Sequence, residues 1–175
     1  GVNVVPHLSL EGADQIGEAI RKVARANDIV VASVHWGANW GWEIPPEQID
    51  FAHRLLEHGV HIVHGHSSHH VKGMEVHDGK LILYGCGDFI DDYEGISGYE
   101  EFRDDLVLMY FPKVSIEDGT LQSLAMVPLQ IRNLRLCRAS RADAQWLETT
   151  LEREGARFGT QVRLGADNVM RLEWR

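Results

Sequence analysis

The chain of 175 residues is poor in cysteine, in long apolar runs and in positive charge. Its two cysteines, Cys86 and Cys137, are too few for a disulfide framework, although a single bridge stays open. No window approaches the roughly 18 apolar residues of a membrane span, and the N-terminus lacks a signal-peptide pattern. The chain as given is therefore predicted to be soluble. Because 26 Asp and Glu outnumber 17 Lys and Arg, a general nucleic-acid surface is excluded as the main function.

The composition is that of a globular protein, with 44% hydrophobic and 25% charged residues. This length and balance predict a single domain over residues 1–175. The opening GVNVVPHLSL has no initiator Met and begins directly in Val-rich sequence. We therefore expect a piece cut from a longer protein.

The first half of the chain predicts a strand, a helix and a second strand. Residues 29–34 and 60–63 are short β-branched runs, which is typical of strands covered on both faces. Between them, Pro46 opens a helix that runs to Leu56 and stops at Gly59. In such a βαβ unit both strands end at the same edge of a parallel sheet, where ligands gather.

The remaining elements follow from periodicity and turn signals. An amphipathic helix is predicted over 11–26 and a capped helix from Ser140 to Glu152. Asp78-Gly79 predicts a tight hairpin. Further strands are predicted over 106–111 and 121–131, with one or two edge strands within 160–175. The chain is thus predicted to have an α/β fold.

Histidines are concentrated where the two predicted parallel strands end. His35 follows the first strand, and five of the ten histidines lie between residues 61 and 70. Imidazole is a common ligand of zinc, manganese and iron, and a Gly-His-x-x-His turn can present two rings to one region. We predict His35, His66 and His69 as metal ligands. Lone histidines, such as His7, His53, His58 and His77, are predicted to be structural.

Several neighbours are weaker candidates. His64, His70 and Asp88 flank these ligands and are candidates to hydrogen-bond them from behind. Trp36 and Trp40 are candidates for a pocket wall that stacks on substrate, with core packing as the alternative for at least one of them.

Four stretches in a fixed order resemble one protein family. They are VASVHWG at 31–37, PEQ at 46–48 with AH at 52–53, VHGHSSH at 63–69, and GKLILYGCGDF at 79–89. Together they resemble the CapA-like capsule-synthesis, or poly-γ-glutamate biosynthesis, family of calcineurin-like metallophosphoesterases. The clear resemblance covers residues 28–90.

The resemblance implies a layered βαβ metallophosphoesterase-like fold with a mixed sheet. It also implies two divalent metal ions, Mn, Fe or Zn, held by His35 as the strand-end histidine and by His66 and His69 as the Gly-His-x-x-His pair. Such ions activate water for attack on phosphorus and neutralise the developing charge. The implied function is a metal-dependent hydrolase linked to capsule or poly-γ-glutamate synthesis, with His35 and His66 taking part in catalysis on an anionic small molecule or polymer.

The chain departs from the family pattern in two places. The family's early Gly-Asp, Gly-Asp and Gly-Asn motifs are absent before His35, so we expect the C-terminal half of the domain. Its partner would be the missing N-terminal half, and this half alone would be inactive. Asp88 stands where the family more often has Asn. It is a candidate for an added ligand or for a carboxylate that holds a ligand from behind, with the capping of a turn as the equal alternative.

Two alternatives to the hydrolase remain. One is a module on the same fold that binds an anionic polymer and assists its assembly or export without catalysis. The other is a structural metal site. Members of this family are often anchored in a membrane and face the outside of the cytoplasm. The resemblance therefore implies the same location for the whole protein, as an expectation.

Overall fold

Two β-sheets and three α-helices make up the residues that this computed structural model describes, 3–91 and 95–175. In chain order the elements are α1 (Leu10–Val23), β1 (Val31–His35), α2 (Pro46–Glu57), β2 (Ile62–His66), β3 (Met74–His77), β4 (Lys80–Leu83), β5 (Leu106–Val114), β6 (Leu121–Ile131), β7 (Leu136–Arg138), α3 (Arg141–Gly155), β8 (Thr160–Leu164) and β9 (Met170–Trp174). Short 3-10 helices lie at Glu100–Phe102 and Ala156–Phe158.

The first sheet contains the predicted βαβ unit. Its strand order is β1-β2-β4-β3, with β1, β2 and β4 parallel and β3 antiparallel at one edge. The β1–β2 register runs from Val31 opposite Ile62 to His35 opposite His66. The α/β class and the mixed sheet predicted from the sequence are therefore confirmed.

Helices α1 and α2 cover one face of this sheet. Phe51, Ala52 and Leu55 of α2 are fully buried or nearly so, and they pack in one cluster with Val63 and Ile82 of the sheet. Pro46 stands in the first turn of α2, and Gly59 follows its end with φ of 93°. The apolar stripe of α2 thus fixes the helix directly behind the strands that carry the histidines.

The other face packs against the second sheet, whose strand order is β5-β6-β9-β8 with β7 beside β6. Leu81 and Leu83 point to this face and Ile82 to the helices, because successive strand residues alternate. Residues from both sheets and from α3 share this core: Ile62, Leu81, Leu83, Leu108, Leu124, Met126, Leu147 and Leu151.

The structure confirms most predicted elements and adjusts a few. The hairpin turns at Asp78 and Gly79, both with positive φ, and Ser140 caps α3 by accepting from the amide of Asp143. Helix α1 ends at Val23, because Ala24 is extended and cannot continue it. Strand β7 was not predicted, since three residues carry too short a pattern.

The structure bears on two features considered from the sequence, a membrane-spanning helix and a disulfide bond. Within the described ranges, no helix combines the length and apolar character needed to cross a membrane. The bridge left open between Cys86 and Cys137 is not formed: both are free thiols, Cys86 buried and Cys137 exposed.

Candidate functional site

The parallel pairing of β1 and β2 places His35 directly beside His66. Both residues end their strands, and their Nδ1 atoms lie 3.3 Å apart, with ring centroids separated by 5.2 Å. His35 is exposed and His66 half-buried. Ligand atoms about 2.1 Å from a tetrahedral ion lie roughly 3.4 Å from one another. The spacing of this pair therefore fits two donors to one divalent ion.

The local electrostatics favour the neutral form of His66 by lowering its pKa. Burial lowers its pKa, and the neighbouring rings of His64 and His35 lower that pKa further. Burial also lowers the pKa of His64, whose Nδ1 lies 3.0 Å from the hydroxyl oxygen of Ser33. Because only a neutral imidazole offers a lone pair, this setting favours the metal-binding form of His66.

Hydrogen bonds join the loops that follow β1 and β2. The amide of Trp36 donates to the carbonyl of His66, and the amide of His69 donates to the carbonyl of Asn39, both at 3.0 Å. The hydroxyl of Ser67 donates to Asn39 Oδ1 at 3.3 Å. Ser67 also has φ of 122°, a strained value for a residue with a side chain. The histidine loop is therefore held in one unusual conformation.

His69 is oriented by a carboxylate. Its Nδ1 lies 2.7 Å from Asp88 Oδ2, and its Nε2 lies 3.3 Å from the side-chain nitrogen of Asn39. A carboxylate behind one ring nitrogen fixes the ring and raises the basicity of the other nitrogen, as it does for many metal-bound histidines. Asp88 thus contacts His69, one of the three histidines predicted as ligands, on the side of Nδ1.

The three predicted ligands form two pairs and not one tight group. His35 contacts His66, and His69 contacts Asp88. Among the residues the structure describes, His35, His66 and His69 are not a set whose ligand atoms all lie within 4.8 Å of one another. The arrangement offers donors at two neighbouring positions rather than three donors to a single ion.

The structure corrects the placement of Trp36. This side chain is 5% exposed, stacks on Tyr84 and donates its indole N–H to the Tyr84 carbonyl at 3.0 Å. Adjacent strand residues face opposite sides, so Trp36 points into the helix-side core when His35 points into the site. It is not a pocket wall.

Trp40, the other candidate wall, does lie beside the histidines. Its ring is 5.2 Å from that of His69 and stacks on Tyr99 at 4.1 Å with nearly parallel planes. Trp40 is half-buried and Tyr99 is exposed. The two aromatic rings form a platform next to His69.

His70 also differs from its prediction. It is fully buried, its Nδ1 lies 2.9 Å from the Val71 carbonyl oxygen, and its ring stacks on Phe102. Burial lowers its pKa to about 4. His70 therefore belongs to the core behind the loop, and in the described part of the chain its Nδ1 contacts a backbone carbonyl and not a predicted ligand.

The comparisons with known proteins match the histidine-bearing part of the chain. A family model described as "Bacterial capsule synthesis protein PGA_cap" matches residues 3–93. The chain belongs to this capsule-synthesis family. His35, His66, His69 and Asp88 all lie within the matched segment.

Individual relatives extend the similarity. Two strains of Mycobacterium tuberculosis have a protein named "Probable polyglutamine synthesis accessory protein", 46% identical over 160 residues, which are 91% of this chain and 42% of the relative. A "PGA biosynthesis protein CapA" of Bacillus subtilis is 30% identical over 94 residues, 54% of this chain and 24% of the relative. The chain thus spans about two fifths of the mycobacterial relatives and about a quarter of the Bacillus one.

A cleft opens beside the capsule-family histidines, between the two sheets. It has a volume of about 350 Å³ and is mainly apolar. Val31, His64 and Leu83 line it from the first sheet, and Leu108 and Tyr110 from the second.

A further group of side chains, whose ligand-type atoms lie close enough to hold a metal ion, was missed by the sequence analysis. His53, Glu75 and His77 bring one ligand atom each within 4.8 Å of the others. The one signal in the sequence is that Glu75 and His77 stand two apart in a strand, hence on one face. Nothing in the sequence indicates that His53, on α2, lies against them.

Proposed function

We propose that this chain supplies the histidine-bearing part of a metal-dependent, phosphoesterase-type hydrolase that acts in capsule or polyglutamate synthesis. The observation that carries the proposal is the His35–His66 pair, two imidazoles with Nδ1 atoms 3.3 Å apart at the end of adjacent parallel strands. The printed names of the relatives connect the family with capsule, polyglutamine and PGA biosynthesis.

Each residue has a proposed role. His35 and His66 would hold one divalent ion through nitrogens that already have the right spacing. His69, oriented by Asp88, would hold a second ion through Nε2. When bound, two such ions activate water and neutralise the charge that develops on phosphoryl oxygens. Bound cations also explain how a chain of net charge −9 would attract an anionic substrate.

We further propose that the rest of the site comes from an N-terminal part of the longer protein. Strand β1 is an edge strand of its sheet, and the adjacent cleft of about 350 Å³ is apolar. Val31, which lines this cleft, is 54% exposed. Added strands at this edge would cover its side chain and bring the carboxylate and amide ligands that complete two metal sites.

The test uses the full-length protein. Hydrolysis of an aryl phosphate is measured with added Mn²⁺, Fe²⁺ or Zn²⁺ for the wild type and for His35→Ala and His66→Ala. We expect metal-stimulated activity in the wild type and a loss of roughly 100-fold or more in each variant. His7→Ala, at an exposed histidine before α1, is the matched control and should keep wild-type activity. Activity that survives His66→Ala would contradict the proposal.

The second candidate is a module that binds an anionic polymer without hydrolysing anything. Two observations favour it: the mycobacterial relatives are named accessory proteins, and the Trp40–Tyr99 platform offers a binding surface beside His69. Poly-γ-glutamate binding that persists in His66→Ala, with no turnover under any metal, would support this candidate. A chelator that lowers the melting temperature while both assays stay silent would support a structural metal site instead.

A further inference from the structure

We propose that His53, Glu75 and His77 form a separate divalent-metal site between α2 and edge strand β3. The three side chains converge from two elements: His53 from the helix, and Glu75 and His77 from alternate positions of the strand. One ligand atom of each lies within 4.8 Å of the other two. This inference goes beyond the proposed function and does not depend on it.

The site lies on the opposite face of the first sheet from His66. Glu75 pairs with Ile82, which packs in the helix-side core, so Glu75 and His77 face α2. His66 alternates in step with Ile62, which packs in the core against the second sheet. The sheet therefore separates the two groups of histidines, and each can bind its own ion.

The spacing of the donor atoms suits a single ion. His53 Nε2 lies 2.9 Å from Glu75 Oε1, and His77 Nδ1 lies 3.6 Å from the same oxygen. These distances lie on either side of the roughly 3.4 Å expected between ligands of a tetrahedral ion. Two imidazoles and one carboxylate are a zinc-type donor set, which leaves a fourth position for water.

Glu75 is positioned for this role by a buried hydroxyl. The residue is 8% exposed, and its Oε2 accepts a hydrogen bond from the Tyr84 hydroxyl at 2.6 Å. This bond fixes the carboxylate and directs Oε1 at the two histidines. Without an ion, Oε1 is within hydrogen-bond distance of His53 Nε2 at 2.9 Å, so a metal ion at Oε1 would replace this contact and keep the buried carboxylate paired.

The histidine rings leave access for an ion from solvent. The His53 and His77 side chains are 24% and 34% exposed. The two rings stack with centroids 3.6 Å apart and planes inclined by 12°. A ring nitrogen binds an ion that lies in the plane of its own ring. In this stack, an ion in the plane of one ring would lie outside the plane of the other ring, whose nitrogen could not bind it. Metal binding must therefore rotate the rings out of this stack, which gives the site a spectroscopic signature.

The experiment isolates this site within the full-length protein. In a background carrying His35→Ala, His66→Ala and His69→Ala, Zn²⁺ is titrated by calorimetry, and histidine ring signals are followed by NMR. We expect one Zn²⁺ ion to bind and to shift the NMR signals of the His53 and His77 rings. His77→Ala in that background should weaken this binding by roughly 100-fold or more, whereas His7→Ala should leave it unchanged.

Two further variants separate metal binding from folding. Glu75→Gln keeps the shape of the side chain but removes its charge, and Tyr84→Phe removes only the hydroxyl that orients it. We expect Glu75→Gln to abolish the ring shifts and Tyr84→Phe to weaken Zn²⁺ affinity about 10–100-fold. Melting temperatures in chelator monitor folding. The inference would be overturned if the His77→Ala and Glu75→Gln proteins were both folded and both bound Zn²⁺ as tightly as the protein that carries only the three background substitutions.

The outcome is independent of the hydrolase proposal. His77→Ala in the otherwise wild-type protein should keep aryl phosphate hydrolysis, because His77 is not in the His35–His66 site. Zn²⁺ bound at His53, Glu75 and His77 in a protein that hydrolyses nothing would leave this inference standing and remove the proposed function alone.

Discussion

His35 and His66 face each other because the register of two parallel strands pairs them residue for residue. Their Nδ1 atoms are 3.3 Å apart, although the 30 residues from 36 to 65 lie between them in the chain. A shift of one residue in this register would turn His66 to the opposite face of the sheet. The geometry of the His35–His66 pair therefore depends on the packing that holds β1 and β2 in this register.

Gly65, between His64 and His66, is required by that packing. A Cβ atom at Gly65 would lie 2.6 Å from the Leu83 carbonyl oxygen and 2.7 Å from that of Tyr84, and would also meet the Trp36 indole. We expect Gly65→Ala to lower the free energy of unfolding by about 3 kcal/mol or more, because backbone atoms cannot yield. Urea unfolding measures this loss.

Gly159→Ala serves as a comparison for Gly65→Ala. Gly159, unlike Gly65, has a positive φ of 68°, and a Cβ there would meet open space, so its substitution reports the cost of alanine at positive φ with no steric clash. That cost should be about 1 kcal/mol. Equal losses in the two variants would show that the close approach at Gly65 is not what the fold depends on.

Asp88 should act on metal affinity through His69. Asp88→Asn removes the negative charge 2.7 Å from His69 Nδ1 but keeps the side-chain shape. We expect the affinity of the full-length protein for Mn²⁺ or Zn²⁺ to fall about 10–100-fold. Calorimetric titration measures the change, and Glu18→Gln, an exposed charge removal on α1, is its control. An unchanged affinity would argue against a ligand role for His69.

His70 should make stability depend on pH. Burial disfavours the charged ring and lowers its pKa in the folded protein to about 4, from the ordinary value of about 6.5. The unfolded chain therefore binds the proton first, so the stabilisation is complete above about pH 6.5 and is lost as the pH falls toward about 4. The free energy of unfolding should fall by up to about 3 kcal/mol over this pH range because of His70.

His70→Phe tests this pH dependence. Phenylalanine keeps a planar ring against Phe102 and Trp42 but does not titrate. We expect the difference in unfolding free energy between about pH 7 and about pH 5 to be smaller in the variant than in the wild type. Identical pH profiles would show that His70 is not buried in the neutral form.

The two cysteines should differ sharply in reactivity. Burial raises the pKa of Cys86 to about 12, whereas Cys137 is exposed. Because the thiolate is the reactive form, one thiol should react with a thiol reagent near neutral pH in the native protein and two after unfolding. Cys137→Ser should abolish the native reaction. Reaction of two thiols in the native state would contradict the buried position of Cys86.

Two placements failed because residues that follow a predicted ligand directly point away from it. Trp36 follows His35 directly, so only one of the two can face the site, and Trp36 takes the core. His70 follows His69 and turns into the aromatic layer under the loop. Neighbours in sequence are therefore not always neighbours in the site, because the backbone geometry separates them.

The sequence by itself determined the βαβ unit, the family and the convergence of histidines at one sheet edge, because β-branched runs, a proline and a glycine stop are local signals. Only the tertiary structure decided the pairing of His35 with His66 and of His69 with Asp88. It alone revealed the second cluster, since His53 meets Glu75 only when α2 packs across the sheet. Contacts between distant segments depend on register and packing, which no local pattern in the chain encodes.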